Sequence, residues 1–508
     1  MPAKIFSAAV IGLEGEVVEV EADVLGSGLH KFNLVGLPDT AIKESRDRVS
    51  SAIKNSGLKP PHHCGRVTVN LAPADLPKNC PVYDVPIALS FLVATEQLRF
   101  DVHKKLFIGE LALDGRVRSI HGALPIALLA KSKGFEELYV PEANAKEAAL
   151  AGGIKVFPLQ TLIQTVKHLQ GTEVLQEVVY DENQSVFNEV EHIFDMTHIR
   201  GQEHAKRALE IAAAGGHNVL LIGPPGSGKT LLAKTLPSIL PRLVFNESLE
   251  ITKIFSVSGR LAKHNTLITQ RPFRSPHHSA SAVSLVGGGS LPRPGEISLA
   301  HRGVLFLDEF GEFSKNILEN LRQPLEDGYI TVTRAKGSIQ FPSRFILIAA
   351  MNPCPCGNAS DPERMCSCSH QQLEKYKQRI SGPILDRIDL HIEVPRLHFD
   401  KLETVQVSEK SVDIRTRVES ARAIQRNRFK KSGILTNSEM LSHQIKKHCS
   451  LDKPSLDLLR QAVSAFHLSA RGYHRLIKVA RTIADLEGAE NITAQHIGEA
   501  IQYRFRSE

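Results

Sequence analysis

The sequence contains no tryptophan, and aromatic residues make up only 6% of its 508 residues. So few aromatic side chains leave little surface on which bases stack, which argues against sequence-specific reading of a nucleic acid. The sequence also lacks a run of about 18 consecutive apolar residues, so we expect no membrane-spanning helix. The first residues, MPAKIFS, lack the basic-then-apolar layout of a signal peptide. An odd count of seven cysteines in such a chain indicates a reducing compartment, and we expect a cytoplasmic location.

Length and charge set broad limits on the organisation of the chain. A chain of 508 residues exceeds what one hydrophobic core supports, so about two to four domains are expected. The net charge is +7, yet residues 173–195 carry seven acidic residues and no Lys or Arg, which leaves the rest at +14. We therefore predict an acidic linker over residues 171–197. A basic body is compatible with a polyanionic partner, although many basic proteins have none.

Hydrophobic patterning predicts an α/β fold in three domains. Residues 1–170 alternate strand patterns (GEVVEVEADV, RVTVNLAP) with a helix over 39–57 that ends at a glycine. Residues 198–398 contain three fully apolar strands, NVLLIG, GVLFLDE and RFILIAAMNP, separated by helices. Such strands indicate a parallel sheet with both faces covered, a three-layer α/β/α core. Residues 399–508 read as helical, which predicts a C-terminal helical domain.

A phosphate-binding loop follows the first apolar strand of this core. The stretch GPPGSGKT matches G-x-x-x-x-G-K-[ST] in full, with a strand before it and a helix pattern after it. Its glycines let backbone N–H groups surround a phosphate, the lysine reaches the β- and γ-phosphates, and the threonine hydroxyl ligates Mg²⁺. The sequence therefore predicts an ATP and Mg²⁺ site formed by Gly223, Pro224, Pro225, Gly226, Ser227, Gly228, Lys229 and Thr230.

Polar residues at the ends of the next two apolar strands complete this site. GVLFLDE ends in Asp308 and Glu309, and adjacent carboxylates beyond a phosphate-binding loop predict one group that holds Mg²⁺ and one that polarises the attacking water. RFILIAAMNP places Asn352 at the end of a strand, where its amide can touch the γ-phosphate or the water. Asn-Pro is also a common turn, so this last role depends partly on the resemblance that follows.

The chain resembles the magnesium-chelatase-like AAA+ ATPases, in the group of the competence protein ComM and YifB. The resemblance covers essentially the whole length and is carried by six stretches: GQEHAKRALEIAAAGGHNVLLIGPPGSGKT, RPFRSPHHSASAVSLVGGGSLPRPGEISLAHRGVLFLDE, LRQPLEDG, AAMNPCPCG, ISGPILDRIDLHIEV and SARGYHRLIKVARTIADL. It implies a ring, usually a hexamer, with ATP at the subunit interfaces. It also implies that Arg387 is an arginine finger and Arg471 a sensor-2 arginine, with Arg379 and Arg475 as alternates.

The N-terminal domain resembles the Lon-type protease domain, a ribosomal S5 domain 2-like α/β fold. The resemblance rests on LAPADLPKNCPVYDVPIALSFL and LFIGELALDGRVRSIHGALPIALLAKSKGFEELYVPEAN. It implies a Ser nucleophile and a Lys base at the positions that Val82 and Leu124 occupy. Valine and leucine supply neither group, so peptide hydrolysis by that mechanism is excluded. Ring assembly and partner docking remain two open roles for this domain.

Four cysteines follow directly on the strand that ends at Asn352. Four thiolates can bind Zn²⁺ tetrahedrally, although C-x-C spacing is tighter than the usual C-x-x-C. His370 is a possible replacement for one ligand, and free thiols, an iron–sulfur cluster or a redox pair are the alternatives. The predicted ligands are Cys354, Cys356, Cys366 and Cys368.

Two segments are candidates for contact with DNA. YITVTRAKGSIQFP (residues 329–342) reads as a hairpin with Arg334 and Lys336 at its tip, and an ordinary solvated hairpin is the alternative. The insertion at residues 271–296 offers Arg274, His277 and His278 for phosphate contact. A basic helix over residues 414–431 reads more readily as a solvated lid helix.

Together these features predict an ATP-dependent hexameric DNA motor with helicase or branch-migration activity. By the family resemblance, it integrates single-stranded DNA during natural transformation and homologous recombination. The first alternative is a metal-chelatase-type AAA+ motor subunit acting on a protein partner. The second is a non-enzymatic regulator that only assembles, against which the intact set of nucleotide-site residues counts.

Overall fold

The computed structural model describes residues 3–25, 31–36, 39–74, 76, 81–180, 193–262, 266–289, 292–334, 337–359, 364–396, 409–430 and 432–504, without the side chains of residues 39–43, 334, 337 and 377. The chain divides into two compact units. The first comprises residues 1–187 and 245–268, and the second comprises residues 188–244 and 269–508. Strands and helices are numbered here along the whole chain.

The first unit is built on a mixed seven-stranded sheet of order β3-β4-β2-β1-β5-β8-β9. The β1–β2 and β2–β4 pairs are antiparallel, and the other four are parallel. The elements are β1 Ala3–Ile11, β2 Glu14–Leu25, β3 Lys31–Val35, α1 Asp39–Asn55, β4 Arg66–Ala72, α2 Asp84–Ala94, β5 Lys105–Phe107, β6 Glu110–Leu111, β7 Val117–Arg118, α3 Ala123–Ser132, β8 Glu137–Pro141, α4 Glu142–Ala149, β9 Lys155–Leu159, α5 Leu162–Leu169 and α8 Phe245–Ser258.

Alternation of side chains explains the central strands of this sheet. In β4 the buried Val67, Val69 and Leu71 alternate with more exposed residues, so one face of the strand contributes to the core. The predicted strands GEVVEVEADV and RVTVNLAP are confirmed as parts of β2 and β4. The predicted helix over 39–57 is confirmed as α1, and Gly57 follows it with a left-handed φ of 75°. Val82 and Leu124 are both buried side chains in this unit.

The second unit contains a five-stranded sheet of order β11-β14-β17-β10-β18, in which every pair is parallel. Its elements are α6 Glu203–Gly215, β10 Val219–Ile222, α7 Lys229–Ile239, β11 Phe273–Arg274, α9 Ala282–Val286, β12 Gly287–Gly288, β13 Arg293–Pro294, α10 Glu296–Leu299, β14 Val304–Leu307, α11 Lys315–Asn320, α12 Arg322–Asp327, β15 Tyr329–Arg334, β16 Gly337–Pro342, β17 Ile346–Met351, α13 His370–Arg379, α14 Gly382–Leu385, β18 Leu390–Glu393, α15 Ser411–Phe429, α16 Ser442–His448, α17 Lys453–Ala465, α18 Ala470–Leu486 and α19 Ala494–Gln502.

The predicted parallel sheet is confirmed by its central strands. Strands β10, β14 and β17 are buried along nearly their whole length, as expected for apolar strands covered on both faces. The predicted hairpin over residues 329–342 is confirmed as the antiparallel pair β15–β16. A helical region, α15 to α19, follows from Ser411 and packs onto the core through α6 and α7.

The parallel arrangement brings several polar loops to one edge of the sheet. All five strands end there, because parallel strands have their carboxyl ends on the same side. Gly223 follows β10, Asp308 follows β14, Asn352 follows β17, residues 275–281 follow β11, and Val394 follows β18. This edge is therefore where a ligand site is expected in an open α/β sheet.

Within the described part of the chain, no helix combines the length and hydropathy required to cross a membrane.

Candidate nucleotide-binding site

The loop between β10 and α7 has the geometry of a phosphate cradle. Gly226 and Gly228 adopt left-handed φ values of 78° and 91°, which glycine reaches without steric cost. A Cβ on either glycine would meet nothing within 4 Å, so space is open beside both residues. At Gly223 a Cβ would lie 2.1 Å from the carbonyl oxygen of Val394, so glycine is required for this close approach to β18. These features fit a bound phosphate group.

Lys229 begins α7, and its ammonium group lies against the first residues of this loop. Its Nζ donates hydrogen bonds to the carbonyl oxygens of Gly223 (2.7 Å) and Pro224 (2.8 Å) and to Oδ1 of Asn352 (3.3 Å). Burial lowers the pKa of Lys229, while the carboxylate of Asp308 acts in the opposite direction. The structure thus brings the predicted lysine and the predicted sensor amide together at the same edge of the sheet.

Thr230 and Asp308, the two predicted Mg²⁺ ligands, are hydrogen-bonded to each other. The Thr230 hydroxyl donates to Oδ2 of Asp308 at 2.9 Å, and Oδ1 of Asp308 accepts from the backbone N–H of Glu309 at 3.0 Å. A hydroxyl and a carboxylate are oxygen donors of the kind that Mg²⁺ prefers. The two oxygens are close enough to share one ion, directly or through its water ligands.

Glu309 carries the second carboxylate and is held in an unusual conformation. Its φ is 52°, in the left-handed region that non-glycine residues seldom adopt. Its Oε2 lies 2.9 Å from Nδ1 of His278, which belongs to the loop after β11. The His278 ring packs against His277 and Phe313, with centroids 4.1 and 6.4 Å apart. The carboxylate that is predicted to orient water therefore has a definite partner.

Asn352 is fixed from its backbone as well as from its side chain. Its carbonyl oxygen accepts a hydrogen bond of 3.0 Å from the hydroxyl of Tyr376 in α13. Burial, together with the nearby charge of Glu312, raises the pKa of Tyr376 to about 12, so this hydroxyl keeps its proton at neutral pH. Tyr376 was not among the residues predicted from the sequence.

The four predicted cysteine ligands converge on one point. Their sulfur atoms all lie within 4.8 Å of one another. The Sγ–Sγ distances are 3.3 Å between Cys354 and Cys356, 3.6 Å between Cys356 and Cys366, and 3.7 Å between Cys366 and Cys354. Tetrahedral Zn–S bonds of about 2.3 Å place sulfur atoms about 3.8 Å apart, so this donor set fits a zinc-sized ion. The structure therefore contains a possible metal-binding cluster.

The two arginines that the resemblance singled out lie together. Nη2 of Arg387 is 2.6 Å from Oε1 of Glu326, and Nη2 of Arg471 is 3.0 Å from the same oxygen. Arg387 is only 5% exposed, whereas the side chain of Arg471 is 60% exposed. Arg475, one of the alternates, instead binds the buried carboxylate of Asp389 at 2.6 Å. Glu326 is a second residue that sequence patterns gave no reason to select.

Three candidate DNA-contact residues differ in how fully the structure describes them. Lys336 is outside the described residues, and Arg334 is described by its backbone alone. Arg274 lies in β11, where its Nε is 2.6 Å from a carboxylate oxygen of Glu296. Contact of any of the three with DNA stays a prediction.

The sheet and its phosphate loop define a P-loop protein with an AAA+-type arrangement. Three family models, two described as the magnesium chelatase subunit ChlI and one as its C-terminal region, match residues 195–402, 19–144 and 408–504. The chain is 45% identical over 506 residues to the competence protein ComM of Haemophilus influenzae, covering 99% of this chain and 97% of the relative. It is 42% identical to YifB of Escherichia coli, covering 98% and 96%. The chain therefore belongs to the ComM/YifB family of magnesium-chelatase-like AAA+ proteins.

More distant similarity extends to the chelatase subunits themselves. The magnesium-chelatase subunit ChlI of Cyanophora paradoxa is 23% identical over 336 residues, which cover 60% of this chain and 87% of the relative. Membership of this family suggests ATPase activity with ATP and Mg²⁺ as ligands.

Proposed function

We propose that the protein hydrolyses ATP and uses the energy to move along DNA. The observation that carries the first half is the convergence of Lys229, Thr230, Asp308, Glu309 and Asn352 at one edge of the sheet. Lys229 binds the β- and γ-phosphates, and Thr230 with Asp308 holds Mg²⁺. Glu309 polarises the attacking water, and Asn352 touches the γ-phosphate or that water.

The DNA half of the proposal is supported by the family and by charge. ComM of Haemophilus influenzae, 45% identical over nearly the whole chain, is by its name a competence protein. Outside residues 173–195 the chain has a net charge of +14, which favours a polyanionic partner. With so few aromatic residues, contact with the sugar-phosphate backbone suits this chain better than base reading. We infer a helicase or branch-migration activity that helps to integrate single-stranded DNA in transformation and recombination.

The proposal includes a homo-oligomeric ring, with six subunits as the expected number. In it, Arg387 reaches the phosphates bound by the neighbouring protomer as an arginine finger, and Arg471 acts as the sensor-2 arginine of the helical region. Both guanidinium groups neutralise charge that develops during phosphoryl transfer. Both arginines share the Glu326 carboxylate, so that residue positions them as a pair. Arg387 must exchange Glu326 for a phosphate to act, which couples hydrolysis to assembly.

The cysteine cluster is proposed to hold one Zn²⁺ as a structural ion. The four cysteines form no disulfide in the structure, and the separations of their sulfur atoms match a tetrahedral thiolate site. Lewis-acid chemistry is not expected there, because four protein ligands leave no open position on zinc.

A metal-chelatase-type motor acting on a protein partner is the second candidate. The family models that match residues 19–144, 195–402 and 408–504 are all described by the chelatase subunit ChlI, and this favours a common motor. Hydrolysis that responds to a protein partner and is indifferent to DNA would decide for this candidate.

Unwinding of forked and three-strand DNA, with and without ATP, tests the proposed function. Lys229→Ala should abolish nucleotide binding and unwinding, and Lys234→Ala, on the exposed side of the same helix, serves as the matched control. Glu309→Gln should still bind nucleotide and assemble but lose about 10²- to 10⁴-fold in turnover, as expected when a group that activates water is removed. Unwinding that survives in Lys229→Ala would refute the motor.

A further inference from the structure

The cysteine cluster is surrounded by parts of the nucleotide site. Cys354 follows Asn352 by two residues, at the end of β17. The backbone N–H of Gly357 donates to the carbonyl oxygen of Cys354 at 3.0 Å. This hydrogen bond closes a tight turn that contains both Cys354 and Cys356. The cluster therefore begins two residues after the predicted sensor residue, just beyond the end of β17.

This turn lies directly on the phosphate-binding loop. A Cβ on Gly357 would lie 2.6 Å from Cδ and 2.8 Å from Cγ of Pro225, and the φ of Gly357 is 83°. Glycine is required here both for the close approach and for the left-handed conformation. The backbone of the cysteine loop is thus in van der Waals contact with the second proline of GPPGSGKT.

The last cysteine of the cluster, Cys368, is followed by helix α13, which contacts the backbone of Asn352. Ser369 follows Cys368 and caps α13, its Oγ accepting a hydrogen bond from the N–H of Gln372. Two turns along the helix, Tyr376 donates to the carbonyl oxygen of Asn352. The same ring lies against Gly311, where an added Cβ would be 3.0 Å from the tyrosine oxygen. The cluster thus joins three parts of the site: the phosphate loop, the sensor strand and the turn after Glu309.

Apolar burial contributes little to holding the described part of the cysteine loop. Among the described residues of the segment 354–369, only Cys354 and Gly357 are buried, and Met365 is 96% exposed. Apolar burial therefore supplies little of the free energy needed to order this segment. A metal ion bound by four thiolates can supply it, because binding at a structural zinc site is coupled to ordering of the chain.

We propose that Zn²⁺ bound by Cys354, Cys356, Cys366 and Cys368 braces the nucleotide site, so that affinity for ATP depends on metal occupancy. This inference rests on the proposed nucleotide site and goes beyond it by giving the cluster a role. The ion orders the loop, the loop supports Pro225, and α13 fixes the backbone of Asn352.

The test measures zinc content and nucleotide affinity on the same full-length samples. Zinc is counted by elemental analysis, and the Kd of a fluorescent ATP analogue is measured in excess Mg²⁺ before and after treatment with a zinc-selective chelator. We expect about one zinc per chain and a Kd that rises about tenfold on its removal, returning when Zn²⁺ is added back. Far-UV circular dichroism checks that the fold is retained.

A variant that keeps all four thiols tests the support of Pro225 separately from metal binding. Gly357→Ala should retain zinc and still weaken binding about tenfold, because its methyl group displaces Pro225. Gly433→Ala is the matched control, since Gly433 has a similar φ of 69° but open space around a Cβ. This control should bind nucleotide like the wild type.

The results distinguish failure of the metal site, of the brace and of the proposed function. Protein that binds nucleotide but contains no zinc overturns the metal site and leaves the nucleotide site intact. Zinc-loaded protein whose Kd changes neither on chelation nor in Gly357→Ala overturns the brace alone. Zinc-loaded wild type that binds no nucleotide overturns the proposed function.

Discussion

Replacing Asp389 by Asn should strongly destabilise the second unit. The Asp389 side chain is 2% exposed and lies immediately before β18. Its Oδ1 accepts from Nη1 of Arg475 at 2.6 Å, and its Oδ2 accepts from the backbone N–H of Asn218 at 2.9 Å. Nδ1 of His217 is 3.5 Å from the same carboxylate. Asp389 therefore joins the start of β10, the start of β18 and helix α18 of the C-terminal region.

The expected magnitude follows from this burial. Asparagine keeps the volume and can still accept from Asn218, but it leaves the guanidinium of Arg475 without its counter-charge. Removing one partner of a buried ion pair costs about 3–5 kcal/mol. We expect about 3 kcal/mol, the lower end of that range, because 16% of the Arg475 side chain remains exposed.

The pH dependence of this effect has a definite sign. Burial alone would raise the pKa of Asp389, but the charges of Arg475 and His217 and the Asn218 amide outweigh it and hold the pKa far below its ordinary value of 3.8. A carboxyl whose pKa is lowered by folding stabilises the native state above its unfolded pKa and loses that contribution as the pH falls. The difference in free energy of unfolding between wild type and Asp389→Asn should thus have its full value at pH 7 and become smaller below about pH 4.

Urea unfolding followed by far-UV circular dichroism measures this, since the chain has no tryptophan to report by fluorescence. The transition of the second unit should move down by roughly 1 M urea at pH 7. Asp457→Asn is the control, because Asp457 is 49% exposed and its partner Arg460 is 81% exposed at 3.5 Å. If the two variants unfold within about 0.5 kcal/mol of each other, the reasoning about the buried pair is wrong.

Three further predictions concern other described contacts. Glu326→Gln should lower the thermal midpoint by several degrees, because the nearly buried Arg387 loses its carboxylate; an unchanged melting curve would contradict this. His278→Ala should lower the turnover number for ATP about tenfold and leave nucleotide Kd unchanged, because it removes the group that holds Glu309; steady-state kinetics and binding together decide. Cys449 is buried, and this burial raises its pKa to about 11. It should stay unlabelled by maleimide at pH 7 in the folded protein, whereas labelling found by mass spectrometry would contradict its burial.

The sequence predicted the central sheet, and the strand ends that carry most of the candidate nucleotide-site residues, for a physical reason. Strands buried on both faces leave an unbroken apolar signature, and the loop after β10 has a spacing fixed by phosphate geometry. Strand β11 left no such signature, because its two residues are too short to show a period. It nevertheless brings His278 to Glu309. The sharing of Glu326 by two arginines was equally invisible, since it joins residues far apart in the sequence.

The assignment of residues 245–268 shows a further limit of linear patterns, because the predicted core, residues 198–398, spans this segment. In the structure the segment belongs to the first unit. Helix α8 packs against α3 of that unit, and Ser256 donates a hydrogen bond to the buried Glu147 of α4. Glu147 also accepts from the backbone N–H that opens α3, so loss of α8 would expose apolar surface and leave a buried carboxylate short of a donor. A fragment that ends before this helix therefore lacks an element that packs within its own unit.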